Sequence, residues 1–265
     1  MKTISSRQHP VVRAFRELAA DPDPAGARLL LDGVHQVREA REAGAEIDVV
    51  AVAGSHLLSQ TEEADLARAM DASGTQVFSV TDQALAAVSP VRTPSGIVAI
   101  ARRAPASAAA IFGRENGFVL VSVDVQDPGN LGSLIRAAEA GGATGALVCG
   151  VSANPFSWKA LRGSMGSALR LPIAHGLDVL EVLASAKRSG ARVVAAVPRG
   201  GREPDAVDWS GRVALLLGGE GPGLGDTIVE QCDERVTIPM TPPVESLNVA
   251  VAGAILLYAA RRQRA

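Results

Sequence analysis

Lysine is nearly missing from this chain of 265 residues. Of its 26 basic residues only Lys2, Lys159 and Lys187 are lysines, so its cationic surface is almost all guanidinium. Guanidinium suits forked phosphate contacts, although genomic base composition produces the same bias. Cysteine is as scarce: Cys149 and Cys232 are too few for a disulfide framework or a CxxC metal site. His9, His35, His56 and His175 are scattered without HExxH or related spacing, so no metal is expected. The opening MKTISSRQHP lacks the apolar stretch of a signal peptide. The longest apolar run, Leu247 to Ala260, is about fourteen residues and contains Asn248, whereas a bilayer span needs roughly eighteen. The expectation is a soluble, cytoplasmic protein. An excess of one charge is also absent: the net charge is −2 and the pI near 6.1. That balance excludes a globally basic, histone-like nucleic-acid binder and leaves room for a local basic face.

What is present is ample apolar material, 47% of residues against 20% charged, enough for a substantial core. The length fits one large domain or two small ones. Residues 1–102 alternate between helical and strand-like patterns. Val11, Val12, Phe15, Leu18 and Ala19 form a helical stripe that stops at Asp21-Pro22-Asp23-Pro24. Short β-prone runs at Arg28–Leu31, Ile47–Ala53, Gln76–Val80 and Gly96–Ala101 are separated by helical stretches near 34–43, 60–72 and 82–88. The alanine-rich stretch that follows loses its pattern, so 103–117 reads as a linker. A second α/β series occupies 118–265. Its strand-like runs are Phe118–Val123, Gly145–Cys149, Arg192–Val197, Val213–Leu217 and Arg235–Ile238, with helices near 131–141, 177–189, 225–231 and 246–262. Nearly unbroken apolar runs such as Val213–Leu217 belong to strands covered on both faces, as in a parallel sheet.

Charge is locally uneven. Lys2, Arg7, Arg13 and Arg16 open the chain as a basic arm with no acid among them. From Lys159 to Arg202 the basic residues outnumber Asp178 and Glu181 several-fold. Such regions suit a polyanion gripped at two places, though they also occur on ordinary solvated surface.

Three polar or glycine-rich clusters each follow an expected strand. In the first, Pro128-Gly129 makes a turn and Asn130 is placed to cap a helix carrying Gly132, Ser133 and Arg136. Arg136 interrupts small apolar neighbours, so its charge should meet a specific partner, an acid of the fold or a ligand. The second, Leu217-Gly218-Gly219-Glu220-Gly221-Pro222-Gly223-Leu224-Gly225, permits close backbone approach to a ligand. It follows a late strand near the chain end, whereas a dinucleotide fingerprint belongs on the first βα turn, which here reads Gly129-Asn130-Leu131-Gly132. In the third, Ile238-Pro239-Met240 leads through further prolines to Ser246-Leu247-Asn248-Val249, where Ser246 can cap the last helix. Arg162-Gly163-Ser164-Met165-Gly166 only loosely approaches a serine-hydrolase elbow, because Arg162 stands where glycine is needed.

The order Asn130-x-Gly132-x-x-x-Arg136, then Leu217 to Leu224, then Ile238 to Val249 resembles the three motifs of the SpoU, or TrmH-like, branch of the SPOUT RNA 2′-O-ribose methyltransferases. The likeness spans roughly 118–262. Residues 1–102 resemble the substrate-binding domain of rRNA-directed members, a small fold shared with RNA-binding ribosomal proteins, with Asp32 where Glu is more usual. The resemblance implies an α/β fold with a parallel sheet and a trefoil knot in 118–265, beside a smaller RNA-binding α/β domain. It implies S-adenosylmethionine as cofactor, held by Leu217, Gly218, Gly219, Ile238, Met240, Ser246 and Leu247, with the loop at Val197 lining the same pocket. It gives the chemistry to Arg136, with Asn130, Glu220, Ser246 and Asn248 holding Arg136 and the ribose. A guanidinium keeps its proton because its pKa exceeds about 12, so Arg136 is better read as phosphate clamp and oxyanion stabiliser than as base. The expected partners are RNA, with 23S rRNA favoured over tRNA, and a second copy of the chain docked through the C-terminal domain. A nicotinamide-linked oxidoreductase and a non-catalytic RNA-binding protein are the alternatives from other classes.

Overall fold

The computed structural model describes residues 1–91, 93–221 and 223–264, so Pro222 of the glycine-rich loop lies outside the described residues. The chain forms two compact units, Met1–Ala104 with Phe156–Arg162, and Pro105–Pro155 with Gly163–Ala265.

The first unit is built on strands β1 (Lys2–Ile4), β2 (Arg28–Asp32), β3 (Glu46–Ala53), β4 (Gln76–Val80) and β5 (Ile97–Arg102), in the order β1-β4-β3-β5-β2. β5 runs antiparallel to both β2 and β3, and the other pairs are parallel. The helix Pro10–Ala20 buries the expected stripe Val12, Phe15 and Leu18, and it ends just before the Asp-Pro repeat. The opening basic residues are not a free arm. Lys2 lies in β1, paired with β4, and Arg7 donates from Nε to the Gln83 carbonyl at 3.3 Å. Three residues are too short a strand to leave a readable alternation. Phe156, far along the chain, belongs to this unit: a Cβ on Gly26 would lie 2.5 Å from its ring.

The second unit is a six-stranded, wholly parallel sheet of β6 (Phe118–Val123), β7 (Gly145–Cys149), β8 (Ile173–Leu177), β9 (Arg192–Ala196), β10 (Val213–Gly218) and β11 (Glu234–Val236), ordered β11-β9-β10-β6-β7-β8. Every residue of β6 and β7 is buried, as unbroken apolar runs dictate for interior strands. β8 escaped the sequence reading because it is an edge strand interrupted by His175 and Gly176. The stretch read as a linker contains an ordered helix, Ala108–Phe112, capped by the Ser107 hydroxyl, with Ile111 and Phe112 in the core of this unit. Five residues, three of them alanine, carry no period to detect. Two more short helices, Trp158–Ser164 and Ser167–Arg170, also went unread. No described helix is long and apolar enough to cross a membrane.

Candidate active site

The parallel register fixes where the motifs meet. β10 pairs with β6 so that Gly218 stands opposite Val123, and β11 pairs with β9 so that Val236 stands opposite Ala196. The loops leaving these strands therefore start side by side at the carboxyl edge of the sheet, where open α/β sheets bind ligands. Those after β9, β10 and β11, together with residues 246–256, enclose a cavity of about 400 Å³.

All the residues expected to hold a cofactor line this cavity. Leu217, Gly218 and Gly219 come from the end of β10, Ile238 and Met240 from the loop after β11, and Ser246 and Leu247 from the approach to the last helix. Val197 lines it from the loop after β9. Its N–H donates to the Val236 carbonyl at 2.9 Å, and its carbonyl accepts from the Thr237 hydroxyl at 3.1 Å, which ties two of the loops together. Sequence reasoning missed Pro198 and the helical residues Ala252 and Leu256, which also line the cavity. The latter two sit one and two turns after Asn248, a spacing that would have pointed to them had the cavity been known.

The glycines are needed for backbone clearance. A Cβ on Gly218 would fall 2.3 Å from the Gly223 carbonyl carbon and 2.4 Å from the Leu224 nitrogen, and one on Gly219 would fall 1.9 Å from the Asp124 carbonyl oxygen. Gly221 and Gly223 have φ of 97° and 67°, so the loop folds back over the end of its own strand.

Asn130 does not cap its helix. Helix Pro128–Ala140 starts earlier, with proline in its first turn, and is capped by Asp127, whose Oδ1 accepts from the Asn130 N–H at 2.7 Å. The Asn130 side chain is thereby free for other work. Its Nδ2 donates to Glu220 Oε1, and its Oδ1 accepts from Asn248 Nδ2 at 3.0 Å. Ser246 is likewise not the cap of the last helix, Val249–Arg264. Asn248 is: its Oδ1 accepts from Ala250 N–H at 2.9 Å and Val251 N–H at 3.3 Å. The amide with no apparent place in an apolar run thus ends that helix and joins the three motifs in one chain of side chains, Glu220–Asn130–Asn248.

Arg136 stands apart from that chain. It is exposed on helix Pro128–Ala140, near Ser133, and makes no ion pair or hydrogen bond among the described residues. The fold offers it no acid there, which leaves the guanidinium available to a ligand. On the same helix, Glu139 is held below the usual carboxylate range. Burial opposes this, but hydrogen bonds from Arg170 and Ser167 outweigh it. The Arg170 fork, at 2.8 and 2.9 Å, pins Ser167–Arg170 to the Arg136 helix. Under the sheet edge, burial pushes the Cys149 thiol up to about 12, with Asp178 and Asp124 adding to the shift, so it is no nucleophile. Among the described residues no group of three or more His, Cys, Asp or Glu could hold a metal ion.

Comparison with known proteins matches this half of the chain, residues 117–258, to the SpoU rRNA Methylase family, and residues 25–99 to the MRM3-like substrate binding domain. An uncharacterized tRNA/rRNA methyltransferase of Synechocystis is 31% identical over 99% of this chain and 94% of its own length. The 23S rRNA (guanosine(2553)-2′-O)-methyltransferase RlmP of Bacillus subtilis is 29% identical over 97% and 98% of the two chains. Among solved structures, an AdoMet-bound rRNA methyltransferase from Sinorhizobium meliloti superposes with a TM-score of 0.84 at 27% identity, covering 98% of this chain and 97% of its own. The SpoU methyltransferase AviRb from Streptomyces viridochromogenes, in complex with AdoMet, also gives 0.84, at 26% identity, over 97% of this chain and 98% of that one.

Proposed function

Because the chain belongs to the SpoU rRNA methylase family, we propose that it transfers the methyl group of S-adenosylmethionine to a ribose 2′-hydroxyl of 23S rRNA. One observation carries the reading furthest. The loops of the second and third motifs line a single cavity, and Asn130 of the first motif is hydrogen-bonded to Glu220 and Asn248, both of which line it. Family membership removes the nicotinamide-linked and the non-catalytic readings.

The cavity suits the cofactor. Its walls at Ile238, Leu247 and Leu256 are apolar, and the loop at Gly218–Gly219 has no room for a side chain, so backbone polar atoms stand next to the space a purine nucleoside needs. When bound, the cofactor supplies an electrophilic methyl sulfonium. Leu217, Gly218, Gly219, Ile238, Met240, Ser246, Leu247 and Val197 are the residues that hold it in this account. The chain's own contribution to the reaction is placement and charge. Arg136, exposed and unpaired among the described residues, grips a substrate phosphate and stabilises the oxygen as it loses its proton to phosphate or water. Glu220 orients the Asn130 amide, and Asn130 in turn orients Asn248, which fixes a polar rim against which the ribose is held.

Substrate selection falls to residues 1–102 and chemistry to 118–265, with the basic residues between Lys159 and Arg202 contacting backbone phosphates. The match of 25–99 to a substrate-binding domain supports this division. In this reading the protein works in the cytoplasm as a homodimer joined through a knotted C-terminal domain. Support for the dimer comes from the last helix, where Val251, Ile255 and Tyr258 recur on one face with exposures of 49%, 41% and 50%. Mapping ribose methylation across 23S rRNA and tRNA from a deletion strain tests the substrate. Loss of one 23S methyl group supports rRNA, and loss confined to tRNA overturns that assignment.

A further inference from the structure

Asp124 directly follows β6, the strand between β7 and β10, and has φ of 57°. That left-handed conformation is costly for side chains other than Asn and Asp. Three backbone segments meet on this residue. Its N–H donates to the Cys149 carbonyl at 3.2 Å, and its Oδ1 accepts from the Val151 N–H at 2.8 Å. On the opposite flank its carbonyl oxygen stands 1.9 Å from where a Cβ on Gly219 would lie, and the Gly219 N–H donates to the Val123 carbonyl at 2.7 Å. The next residue continues the clamp: Val125 donates to Ser152 Oγ at 3.0 Å and accepts from the Ala153 N–H at 2.8 Å. Residue 124 is therefore the point at which the chain turns out of the central strand, gripped by the loop 150–153 on one side and by Gly219 on the other. Glycine would adopt this turn at less cost. What glycine lacks is the carboxylate that takes the Val151 N–H.

Glu220 follows Gly219 directly, and the helix turn bearing Asn130 begins four residues after Asp124. We infer that Asp124 is a positioning residue for methyl transfer: its left-handed turn, locked by the Val151 hydrogen bond, sets the distance between Glu220 and Asn130. It touches neither cofactor nor ribose and acts only through those two side chains. The inference rests on the methyltransferase reading given above.

The test uses the full-length protein, S-adenosylmethionine and a 23S rRNA transcript, with single-turnover rates at saturation for Asp124→Asn, Asp124→Gly and Asp124→Glu. Asparagine keeps both the left-handed turn and an acceptor, so its rate stays within about threefold of wild type. Glycine keeps the turn without the acceptor, and glutamate keeps the charge with a side chain too long for the site. Both lose at least about tenfold in rate, with dissociation constants for cofactor and RNA within about threefold of wild type. A glycine or glutamate variant at the wild-type rate, an asparagine variant as slow as glycine, or a loss confined to the dissociation constants overturns the inference. If the glycine variant does not fold, the asparagine and glutamate pair decides. Hydrogen exchange at the Gly219 amide gives a reading that needs no RNA. Exchange is expected to quicken in the glycine and glutamate variants alone, and unchanged exchange in both refutes the coupling. A wild-type protein that methylates no RNA refutes the function instead, so the two failures are separate.

Discussion

Gly218 separates two physical accounts of the glycine-rich loop. If the glycine leaves room for a ligand, Gly218→Ala is tolerated and only a branched side chain does harm. The structure argues otherwise, because the first added carbon already lies 2.3 to 2.7 Å from three backbone atoms of Gly223 and Leu224. Ordinary carbon contacts are about 3.5 Å, so the returning limb of the loop has to move by about 1 Å, and no flexible side chain is there to yield instead. Overpacking of this kind costs about 1–3 kcal/mol, or roughly 5- to 150-fold in an equilibrium constant. Gly223 on the displaced limb lines the cavity, so if the cofactor binds there as proposed the cost appears in binding. Gly218→Ala is expected to weaken S-adenosylmethionine by at least about tenfold in titration calorimetry, with Gly218→Val only slightly worse. Thermal melts without ligand check that both variants fold. An alanine variant with wild-type affinity beside a valine variant that binds poorly would refute the clash and restore the ligand-space account.

Four further outcomes are expected. Arg136→Ala abolishes methyl transfer and leaves cofactor affinity within a few-fold; retention of more than about a tenth of the single-turnover rate, about 1.4 kcal/mol of barrier, contradicts its role. Ile255→Asp, placing a charge in the exposed apolar stripe of the last helix, yields monomers in sedimentation at micromolar concentration, whereas an unchanged dimer puts the interface elsewhere. A truncated chain of residues 104–265 binds S-adenosylmethionine normally and loses most of its RNA affinity; methylation of the natural RNA at the full-length rate refutes the division of labour. Cys149, its thiol pushed up to about 12 by burial, resists maleimide in the native state. Because its folded pKa is raised, its contribution to stability is complete below the unfolded value near 9 and is lost as pH rises from there toward 12, which chemical denaturation at pH 7 and pH 10.5 measures.

The interior strands were legible because burial on both faces removes polar residues: β6, β7 and β10 match the runs read from the chain almost residue for residue. β1, β8 and the helix Ala108–Phe112 were illegible because an edge or a few residues leave no periodic signal. At the site, the motifs pointed to residues that the fold gathers at one sheet edge, and two local jobs were misassigned. Asn130 and Ser246 are both good capping types, and sequence alone could not see that Asp127 and Asn248 reach the helix ends first. The Asn130 amide freed in this way joins Glu220, 90 residues further on, to Asn248, 118 residues further on. Close approaches such as that of Asp124 to Gly219 depend on strand register, which no spacing of residues discloses.

Ribose methyl transfer leaves a product whose chemistry identifies it. Purified protein is incubated with methyl-labelled S-adenosylmethionine and 23S rRNA, and the RNA is then hydrolysed in alkali. Cleavage in alkali needs a free 2′-hydroxyl, so the account predicts label in a single alkali-resistant dinucleotide, and none when Arg136→Ala replaces the wild type. Label recovered in mononucleotides as a methylated base, or no label in RNA while the protein binds the cofactor, would contradict it.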